Sequence, residues 1–536
     1  MEEITRRVLE FLANPESYPH QPKEVRRLQT HASWVFLASP FVYKIKKPVD
    51  FGFLNFTTLE RRRENSLAEV ELNRRLAEDV YLGVAAVCYV NGSLLLTSQP
   101  QGEVMEWCVW MRELDSAGFL LQRLHDGCLT AEQITRVAER LLRFYQTQPP
   151  LPESESQAAT SRIHQHAGDN LAIAQQFSGR TLSKHCLTAI AEYNCVFEAT
   201  HGALLKSRSN QGWIQDTHGD LHLDHIHLSD DSIRIYDCLE FSAELRHTDV
   251  ACDIAFLTMD LDFHGRPDLG QVLIQRMQEA WKDPGLPHLL TYYQCYRACV
   301  RGKVESLHSV TETAEENERT EAIELAHRYF RLALRYAIAG TRPRLFVFCG
   351  RIASGKSSLA EFLSDETGWL VFSSDRLRKT LGGVDLYHRG TDQERAILYS
   401  RQITDQVYSE LQQQAIARLQ AGHCVILDAT YSDREHRDIL RRQIVAAGFS
   451  LMWVEAVASD ATVRDRLRHR NQNRQVISDA REEDFEKLAA GYLAVKEIPD
   501  AELISIPTEG TALKTQTDLL QHLVRKNASS APVEVR

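Results

Sequence analysis

The sequence lacks the features of secreted and membrane proteins. No run approaches the ~18 apolar residues that a membrane-spanning helix requires. The start, "MEEITRRVLEFLANPESYP", is acidic and amphipathic, without the apolar region of a signal peptide. The eleven cysteines are scattered and form no CxxC pair, which favours buried, reduced thiols. We therefore expect a soluble cytoplasmic protein that does not engage a membrane.

A broad excess of positive charge is also missing. The net charge is −11, from 62 Lys and Arg against 73 Asp and Glu. This balance argues against an extended electrostatic footprint for nucleic acid, although a local basic groove remains compatible with it. The hydrophobic fraction of 43% is that of an ordinary globular protein. At roughly 150 residues per domain, a chain of 536 residues predicts several domains.

The chain changes texture twice. Short β-like runs and one charged helix come first, and a mostly helical stretch follows, with a helix stop at Gly340. Beyond it, apolar strands alternate with helices, which predicts a doubly wound parallel sheet of the α/β class. The predicted boundaries are a first domain at 1–340 with parts at 1–112 and 113–340, a loop-rich linker at 146–161, a second domain at 341–527, and a disordered tail at 528–536.

The strongest motif is "GRIASGKSS", which follows the apolar stretch "LFVFC" and precedes a helix. It fits G-x-x-x-x-G-K-[ST] with Gly350, Gly355, Lys356 and Ser357. The glycines let backbone N–H groups turn inward around a phosphate, and the helix start adds its positive end. Lys356 would reach the β- and γ-phosphates of ATP, and Ser357 would hold Mg²⁺. The predicted ATP-binding loop also includes Arg351, Ala353, Ser354 and Ser358.

Charged residues follow three further elements of this region. "VILDAT" ends its strand in Asp428, a carboxylate suited to the Mg²⁺ water shell. "FSSDRLRK" ends another strand in Asp375, with Arg378 three residues later. Asp375 would accept the proton of a substrate hydroxyl beside an anionic group bound by Arg378, or it would simply cap the next helix. In an Arg-rich helix, Arg470 or Arg474 would close over the phosphates, or the helix is a solvated basic face.

These motifs resemble those of the small P-loop kinases of the adenylate and gluconate kinase type, particularly the AAA_33 group. The resemblance covers 344–510 and rests on the Gly350–Ser357 loop, Asp375 with Arg378, "DAT" at 428–430 and "SDA" at 478–480. It implies an ATP- and Mg²⁺-dependent kinase. A DEAD-type motif is not evident, so a mechanical ATPase is disfavoured.

The stretch "THGDLHLDHIHL", residues 217–228, permits two interpretations. His218, His222, Asp224 and His225 would supply enough ligands for a zinc site. However, "IHL-SDDS-IRIYD" predicts two short strands joined by a turn, which would return Asp237 to the side of Asp220, 17 residues earlier. Paired carboxylates of this kind are typical of phosphotransferases, where one accepts the hydroxyl proton and the other holds Mg²⁺.

"HGDLHLDH" resembles the H-G-D-x-H-x-x-N loop of aminoglycoside and choline phosphotransferases, relatives of the protein kinases. "IYDCLEF" and "RHTDVACDIAFL", with Asp249 and Asp253, are similar to the segments that follow it. The resemblance implies that Asp220 is the catalytic base, that Asp237 binds Mg²⁺, that His218 braces the loop and that Glu240 supports the metal. His225 stands where an asparagine metal ligand is expected, and an imidazole is a poorer Mg²⁺ ligand than an amide oxygen.

The resemblance also implies that the first 112 residues form the nucleotide-covering lobe of a bilobal kinase-like domain. "FVYKIKKPVDF" places Lys44 and Lys46 on one strand face, where one would bind ATP phosphates, unless both are edge-strand solubilising residues. The partner would be Glu64, Glu69 or Glu71 on the next helix. "EVMEWCVWMREL" resembles the hinge between lobes, whose backbone at 107–111 would bind adenine.

The fused order resembles bifunctional aminoglycoside phosphotransferase/ATP-binding proteins. It implies two ATP- and Mg²⁺-binding domains that phosphorylate small hydroxylated acceptors. The first alternative is an RNA hydroxyl kinase in the second domain, against which the acidic total and the lack of an aromatic stacking platform weigh. The second alternative is an ATP sensor, in which one domain regulates the other without turnover. The acceptor and the oligomeric state stay open.

Overall fold

Residues 2–52, 54–311, 315–472 and 477–529 are described by the structure, a computed structural model of the chain. They divide into two compact units. The first unit comprises Met1–Gln165 and Ala203–Tyr293, and the second comprises His166–Gly202 and Gln294–Arg536. The residue pattern changes near residue 340, where the sequence predicted a domain boundary. The second compact unit also includes helical segments that precede this boundary. No helix in the described ranges is long and apolar enough to cross a bilayer.

The first unit begins with a six-stranded antiparallel sheet, in the order β1-β2-β3-β6-β4-β5. Its strands are β1 (Arg26–Gln29), β2 (Ser33–Ala38), β3 (Phe41–Lys46), β4 (Tyr81–Val90), β5 (Ser93–Thr97) and β6 (Glu103–Arg112). Helix α1 (Glu2–Leu12) precedes the sheet, and α2 (Leu59–Arg74) connects β3 to β4. One sheet face buries Phe36, Ile45 and Val87 in a shared core with α1. The alternation of strand side chains leaves Lys44 and Lys46 on the face next to α2.

A mostly helical part follows. Its elements are α3 (Leu120–His125), α4 (Ala131–Thr147), α5 (Glu153–Gln175), α6 (Lys184–Asn210), β7 (Ile214–Asp216), β8 (Ile226–Leu228), β9 (Ile233–Ile235), α7 (Ala243–Arg246), β10 (His247–Asp249), α8 (Val250–Phe263), α9 (Pro267–Trp281) and α10 (Leu286–His308). The strands β8 and β9 form the predicted antiparallel hairpin, with Ile226 opposite Ile235. Helix α8 is apolar around most of its circumference and almost wholly buried, as expected for a central helix.

The second unit contains a five-stranded parallel sheet in the order β12-β13-β11-β14-β15. Its elements are α11 (Glu316–Ala339), β11 (Arg344–Cys349), α12 (Lys356–Thr367), β12 (Leu370–Ser373), α13 (Ser374–Leu381), α14 (Asp392–Leu398), α15 (Arg401–Gln420), β13 (Val425–Asp428), α16 (Arg434–Ala446), β14 (Ser450–Val457), α17 (Asp460–Gln472), α18 (Phe485–Ala490), β15 (Leu503–Pro507) and α19 (Ala512–Ala528). Leu345, Leu427 and Trp453 form part of its fully buried core. The doubly wound α/β class predicted from the alternating pattern is confirmed.

Three local expectations fare differently. The linker predicted at 146–161 is loop only between α4 and α5, because Glu153 and Glu155 lie in the first turn of a helix, where acidic side chains stabilise it. The predicted hinge at 107–111 lies inside β6, whose backbone pairs with β3 on one side and β4 on the other, so that prediction is wrong. The tail predicted from residue 528 begins too early, because Ala528 is the last residue of α19, and residues 530–536 lie outside the described residues.

Candidate functional site

The phosphate loop connects β11 to α12. Gly350 has φ of +137°, and a Cβ there would lie 2.6 Å from the Ala456 carbonyl oxygen, so only glycine fits. Ala353 and Gly355 also have positive φ, of 52° and 100°. Lys356 starts α12, so the loop leads directly into a helix N-terminus. A loop of this shape presents successive backbone N–H groups to an anion.

Two residues that the motif does not contain brace this loop. The hydroxyl of Thr508, just beyond β15, donates to the Ser354 carbonyl oxygen at 2.5 Å. Arg466 of α17 donates from Nη1 to the Ala353 carbonyl at 3.2 Å and to the Thr508 hydroxyl at 3.1 Å. A third loop residue is tied down as well, since the Arg351 guanidinium binds Asp460 at 2.6 Å. The loop is therefore held from β15 and α17, elements more than one hundred residues away in sequence.

The two predicted carboxylates lie at adjacent strand ends. Ser373, the last residue of β12, pairs with Asp428, the last residue of β13, and Asp375 follows two positions later. Ser373 is the cap residue of α13, so the alternative in which Asp375 caps that helix is not what the structure contains. Burial raises the pKa of Asp428, while Lys356 and the Ser357 hydroxyl act against this shift. Asp428 Oδ1 is buried and has no hydrogen-bond partner among the described residues, which suits a site for a cation.

The arginines predicted beside them differ in their surroundings. Arg378 is 5% exposed; its Nη1 donates to the Leu398 carbonyl at 2.8 Å, and its guanidinium lies over the Tyr399 ring. These contacts engage one nitrogen and one face of the guanidinium, and Nε has no hydrogen-bond partner among the described residues, so anion binding by Arg378 stays a prediction. Burial lowers the pKa of Arg470, while Asp375 and Asp428 act in the opposite direction, so this side chain lies within electrostatic reach of both carboxylates. Arg474, the other candidate lid residue, lies outside the described residues.

A cavity of about 410 Å³ adjoins the phosphate loop. Its walls include Gly355 and Ser358 on one side, Arg466 and Arg470 of α17, and Thr508. Its volume lies within the range of ligand pockets, and it opens next to the N-terminus of α12. The bracing residues Arg466 and Thr508 thus also line this cavity.

In the first unit, two lysines of β3 converge on one glutamate. Lys44 Nζ lies 2.9 Å from Glu69 Oε1 and 2.9 Å from Asp237 Oδ1. Lys46 Nζ lies 2.7 Å from Glu69 Oε2 and 2.6 Å from Glu240 Oε1. Of the three glutamates predicted as partners, Glu69 is the one that faces the strand, and it is fully buried. Burial opposes charge on Lys44, yet Asp237 and Glu69 raise its pKa well above the ordinary value.

The histidine-rich loop is fixed by the carboxylates of α8. Asp253 is fully buried and accepts the backbone N–H groups of His218 at 3.1 Å and Gly219 at 2.9 Å. Tyr145 of α4 donates its hydroxyl to the same carboxylate at 2.7 Å. His218 Nε2 lies 2.9 Å from the Tyr236 carbonyl, which ties the loop to the end of the β8–β9 hairpin. Asp220 precedes this hairpin in the chain and Asp237 follows it, and both carboxylates lie next to His225.

His225 lies between the two aspartates. Its Nδ1 is 3.7 Å from Asp220 Oδ2, and its Nε2 is 3.6 Å from Asp237 Oδ2. Burial and the neighbouring His222 lower the pKa of His225 to about 4, so the imidazole is neutral at pH 7. Burial opposes charge on Asp237, but Lys44 and His225 bring its pKa below the usual range of an aspartate. Asp237 has φ of +59°, a strained conformation for a residue other than glycine, as often occurs at functional sites.

Several residues at this site escape sequence reasoning. The Tyr81 hydroxyl accepts the Asp237 backbone N–H at 3.3 Å, and Asn73 accepts that of Cys238 at 2.8 Å. Asp260 accepts the Leu223 N–H at 2.9 Å. The eight-residue spacing between Asn73 and Tyr81 carries no signal of a shared site. For Asp260, by contrast, the seven-residue spacing from Asp253 on one helix could have been noticed, since it places both side chains on one face.

Comparison with known proteins finds a family model that matches part of the second unit. Residues 345–494 match AAA_33, described as an AAA domain. Uncharacterized proteins of Mycobacterium bovis and Mycobacterium tuberculosis, among them Rv2004c, are 31% identical to this chain over 439 residues. The match covers 82% of this chain and 85% of each relative. It therefore extends across both units.

Solved structures with similar folds fall into two groups. A choline kinase from Cryptosporidium parvum covers 62% of this chain and 95% of its own, with 11% identity and a TM-score of 0.37. A gluconokinase from Sinorhizobium meliloti covers 34% of this chain and 93% of its own, with 18% identity and a TM-score of 0.25. At such scores these likenesses carry no argument about function. The chain belongs to the family of the mycobacterial proteins, and its residues 345–494 match the AAA_33 model.

Proposed function

We propose that the protein has two ATP sites, one in each unit, and transfers the γ-phosphoryl group of ATP to small hydroxylated acceptors. The observation that carries this proposal is the placement of Asp375 and Asp428 beside the phosphate loop, at the ends of adjacent strands. In open α/β sheets, ligands bind at the carboxyl ends of the strands. A nucleotide-binding loop with a second carboxylate in this crevice can activate a hydroxyl as well as bind ATP.

In the second unit, the chain's residues divide the work. The phosphate loop and Lys356 hold the β- and γ-phosphates, and the adjoining cavity receives the nucleoside. Asp375 accepts the proton of the acceptor hydroxyl as its oxygen bonds to the γ-phosphorus, and the bond to the β–γ bridging oxygen breaks to leave ADP. Arg470 neutralises charge that develops on the transferred group.

In the first unit, the same reaction would use a different scaffold. Lys44 binds the ATP phosphates, because it is the less buried of the two lysines and contacts Asp237. Lys46 is 1% exposed between Glu69 and Glu240, so its role is to hold these carboxylates in place. Asp220 accepts the proton of the acceptor hydroxyl, held in its loop by the contacts of Asp253.

A divalent cation would neutralise charge on the phosphates at both sites. In the second unit, Ser357 and Asp428 would hold it, and the buried, unpartnered Asp428 Oδ1 fits this role. In the first unit, Asp237 and His225 would hold it.

The charges around α17 favour a small acceptor over RNA. Arg464 is paired with Glu486, and Arg468 Nε lies 2.8 Å from Glu482. Arg466 binds the phosphate loop. RNA phosphates would have to displace these paired carboxylates, which weakens RNA binding.

The test uses full-length protein, Lys356→Ala and Asp220→Asn, with Lys496→Ala and Asp230→Asn as exposed controls. ATP turnover is measured alone and with aminoglycosides, sugars, nucleosides and short RNA oligomers. We expect each site variant to lose a separate acceptor-dependent activity while both controls keep both activities. If Asp220→Asn changes nothing while Lys356→Ala abolishes all turnover, the first unit is an ATP sensor and the two-kinase proposal fails.

A further inference from the structure

The two nitrogens of His225 have different tasks. Nδ1 lies 2.9 Å from the backbone carbonyl oxygen of Asp220, and only a protonated nitrogen can donate to a carbonyl. In a neutral imidazole with its proton on Nδ1, Nε2 keeps a lone pair. Nε2 is also the nitrogen that lies 3.6 Å from Asp237 Oδ2. The hydrogen bond to Asp220 thus selects the tautomer that a metal ligand requires.

The two carboxylate oxygens of Asp237 also have different partners. Its Oδ1 is the oxygen 2.9 Å from Lys44 Nζ, and its Oδ2 is the oxygen that faces His225. Ligand atoms about 2.0–2.2 Å from one ion lie roughly 3–3.5 Å apart, close to the separation of these two atoms. The His225 side chain is 12% exposed and that of Asp237 is 39% exposed. The pair is therefore closed on the histidine side and open on the aspartate side, where phosphate oxygens and water would complete the coordination.

We propose that this pair binds a first-row transition metal ion through His225 Nε2 and Asp237 Oδ2, so that the first unit prefers Mn²⁺ to Mg²⁺. The reason is the nitrogen ligand. Mg²⁺ takes oxygen ligands almost exclusively, whereas transition metal ions bind imidazole more strongly. This inference rests on the proposed function, because it specifies the cation that serves the same site.

A second arrangement shares His225. One ligand atom each from Asp220, His222 and His225 lie within 4.8 Å of one another. A cation held there would occupy Asp220, the proposed base. The His225 nitrogen nearest to Asp220 Oδ2 is Nδ1, at 3.7 Å, which already donates to a carbonyl. The geometry therefore favours Asp237 as the partner.

The experiment measures Mn²⁺ coordination directly. Full-length Asp428→Asn protein serves as the parent, because this change removes the cation carboxylate of the second unit. Mn²⁺ is added with a non-hydrolysable ATP analogue, and electron spin echo envelope modulation reports ¹⁴N coupled to the ion. His225→Asn, His225→Gln and, as the matched control, His222→Asn are compared with the parent, and thermal unfolding checks that each variant folds. Competition with Mg²⁺ gives the relative affinity.

We expect imidazole ¹⁴N coupling in the parent and in His222→Asn, and its loss in both His225 variants. The ratio of Mn²⁺ to Mg²⁺ affinity should fall at least about tenfold in His225→Asn, since even outer contacts of a ligand are worth this much. Absence of coupling in the parent, or its persistence without His225, would overturn the proposal. Loss in His222→Asn would place the ion with Asp220 and overturn the Asp237 assignment. If coupling is present but no acceptor is phosphorylated, the proposed function fails and the metal assignment stands.

Discussion

At the scale of residues, Lys44 and Lys46 differ in burial, and we propose that this difference separates phosphate binding from structural support. Both contact Glu69, but Lys46 is buried between Glu69 and Glu240, whereas Lys44 is part-exposed beside Asp237. Removing one partner of a buried ion pair leaves an uncompensated charge in the interior, while removing a more exposed lysine costs less. We therefore expect replacement of Lys46 to act mainly on stability and replacement of Lys44 to act mainly on ATP binding.

We predict that Lys46→Met lowers the stability of the first unit by about 3–5 kcal/mol, because buried Glu240 loses its lysine and buried Glu69 keeps only Lys44. Lys44→Met should lower the melting temperature less than Lys46→Met does, and it should weaken binding of a fluorescent ATP analogue at least about tenfold, the effect of losing a charged hydrogen bond. Both are measured in a Lys356→Ala background, which silences the second site. Exposed Lys23→Met is the control. Equal loss of stability in both variants would contradict the division of roles.

A second residue-scale prediction concerns pH. Burial opposes ionisation of Asp216, but Arg246, at 2.8 Å, and Arg75 lower its pKa below the unfolded value of 3.8. The folded state therefore releases this proton more readily, and the resulting stability is present above about pH 4 and lost as the pH falls further. Asp216→Asn should lower the melting temperature at pH 7 and flatten its decline below pH 4. Exposed Asp231→Asn should leave both unchanged.

At the scale of elements, the phosphate loop and the histidine-rich loop are each held by residues far away in sequence. The Thr508 hydroxyl holds the phosphate loop in place through hydrogen bonds with the Ser354 carbonyl and Arg466. Thr508→Val keeps the shape of the side chain and leaves that carbonyl unpaired. We predict about tenfold weaker ATP binding in the second unit, measured by calorimetry in a Lys44→Met background, which weakens ATP binding in the first unit. Thr508→Ser, which retains the hydroxyl, should restore binding; if it does not, the methyl group and not the hydroxyl is important.

The histidine-rich loop is held in a similar way by hydrogen bonds to Asp253 of α8. Asp253→Asn presents an amide N–H₂ or a single oxygen to the two N–H groups of His218 and Gly219. Because misplacement of a catalytic group by about 1 Å costs roughly a hundredfold in rate, we expect such a loss of the first unit's kcat. Binding of ATP, which we propose depends on Lys44, should change little. Exposed Asp268→Asn on α9 is the control. If Asp253→Asn instead changes KM by a similar factor and leaves kcat unchanged, this positioning role is refuted.

At the scale of the whole molecule, charge separates the candidate acceptors. The net charge is −11, and arginines of α17 are paired with glutamates. We predict that a single-stranded RNA oligomer binds with Kd no tighter than ~10⁻⁵ M near physiological salt, within the range of non-specific contact. Fluorescence polarisation at low and high salt measures it. Tight binding that weakens in Arg464→Gln and Arg468→Gln would instead favour the RNA kinase.

Much of the fold could be read from periodicity and turn signals. The five strands of the parallel sheet, the β8–β9 hairpin and the helix stop at Gly340 are local features, so hydrophobic alternation and glycine placement predict them. The error at 107–111 has a physical cause. An apolar strand has the same pattern whether its backbone is paired on both sides or leads into a hinge, because pairing depends on strands far away in sequence.

The sequence by itself determined the chemistry that each motif can perform: Gly350, Gly355 and Lys356 act within one short loop, where spacing and conformation are inseparable. Only the tertiary structure decided which residues share a site. It chose Glu69 among three glutamates, engaged Arg378 with Tyr399 and put His225 between Asp220 and Asp237. These outcomes depend on contacts between side chains brought together by packing, and spacing along the chain does not encode them.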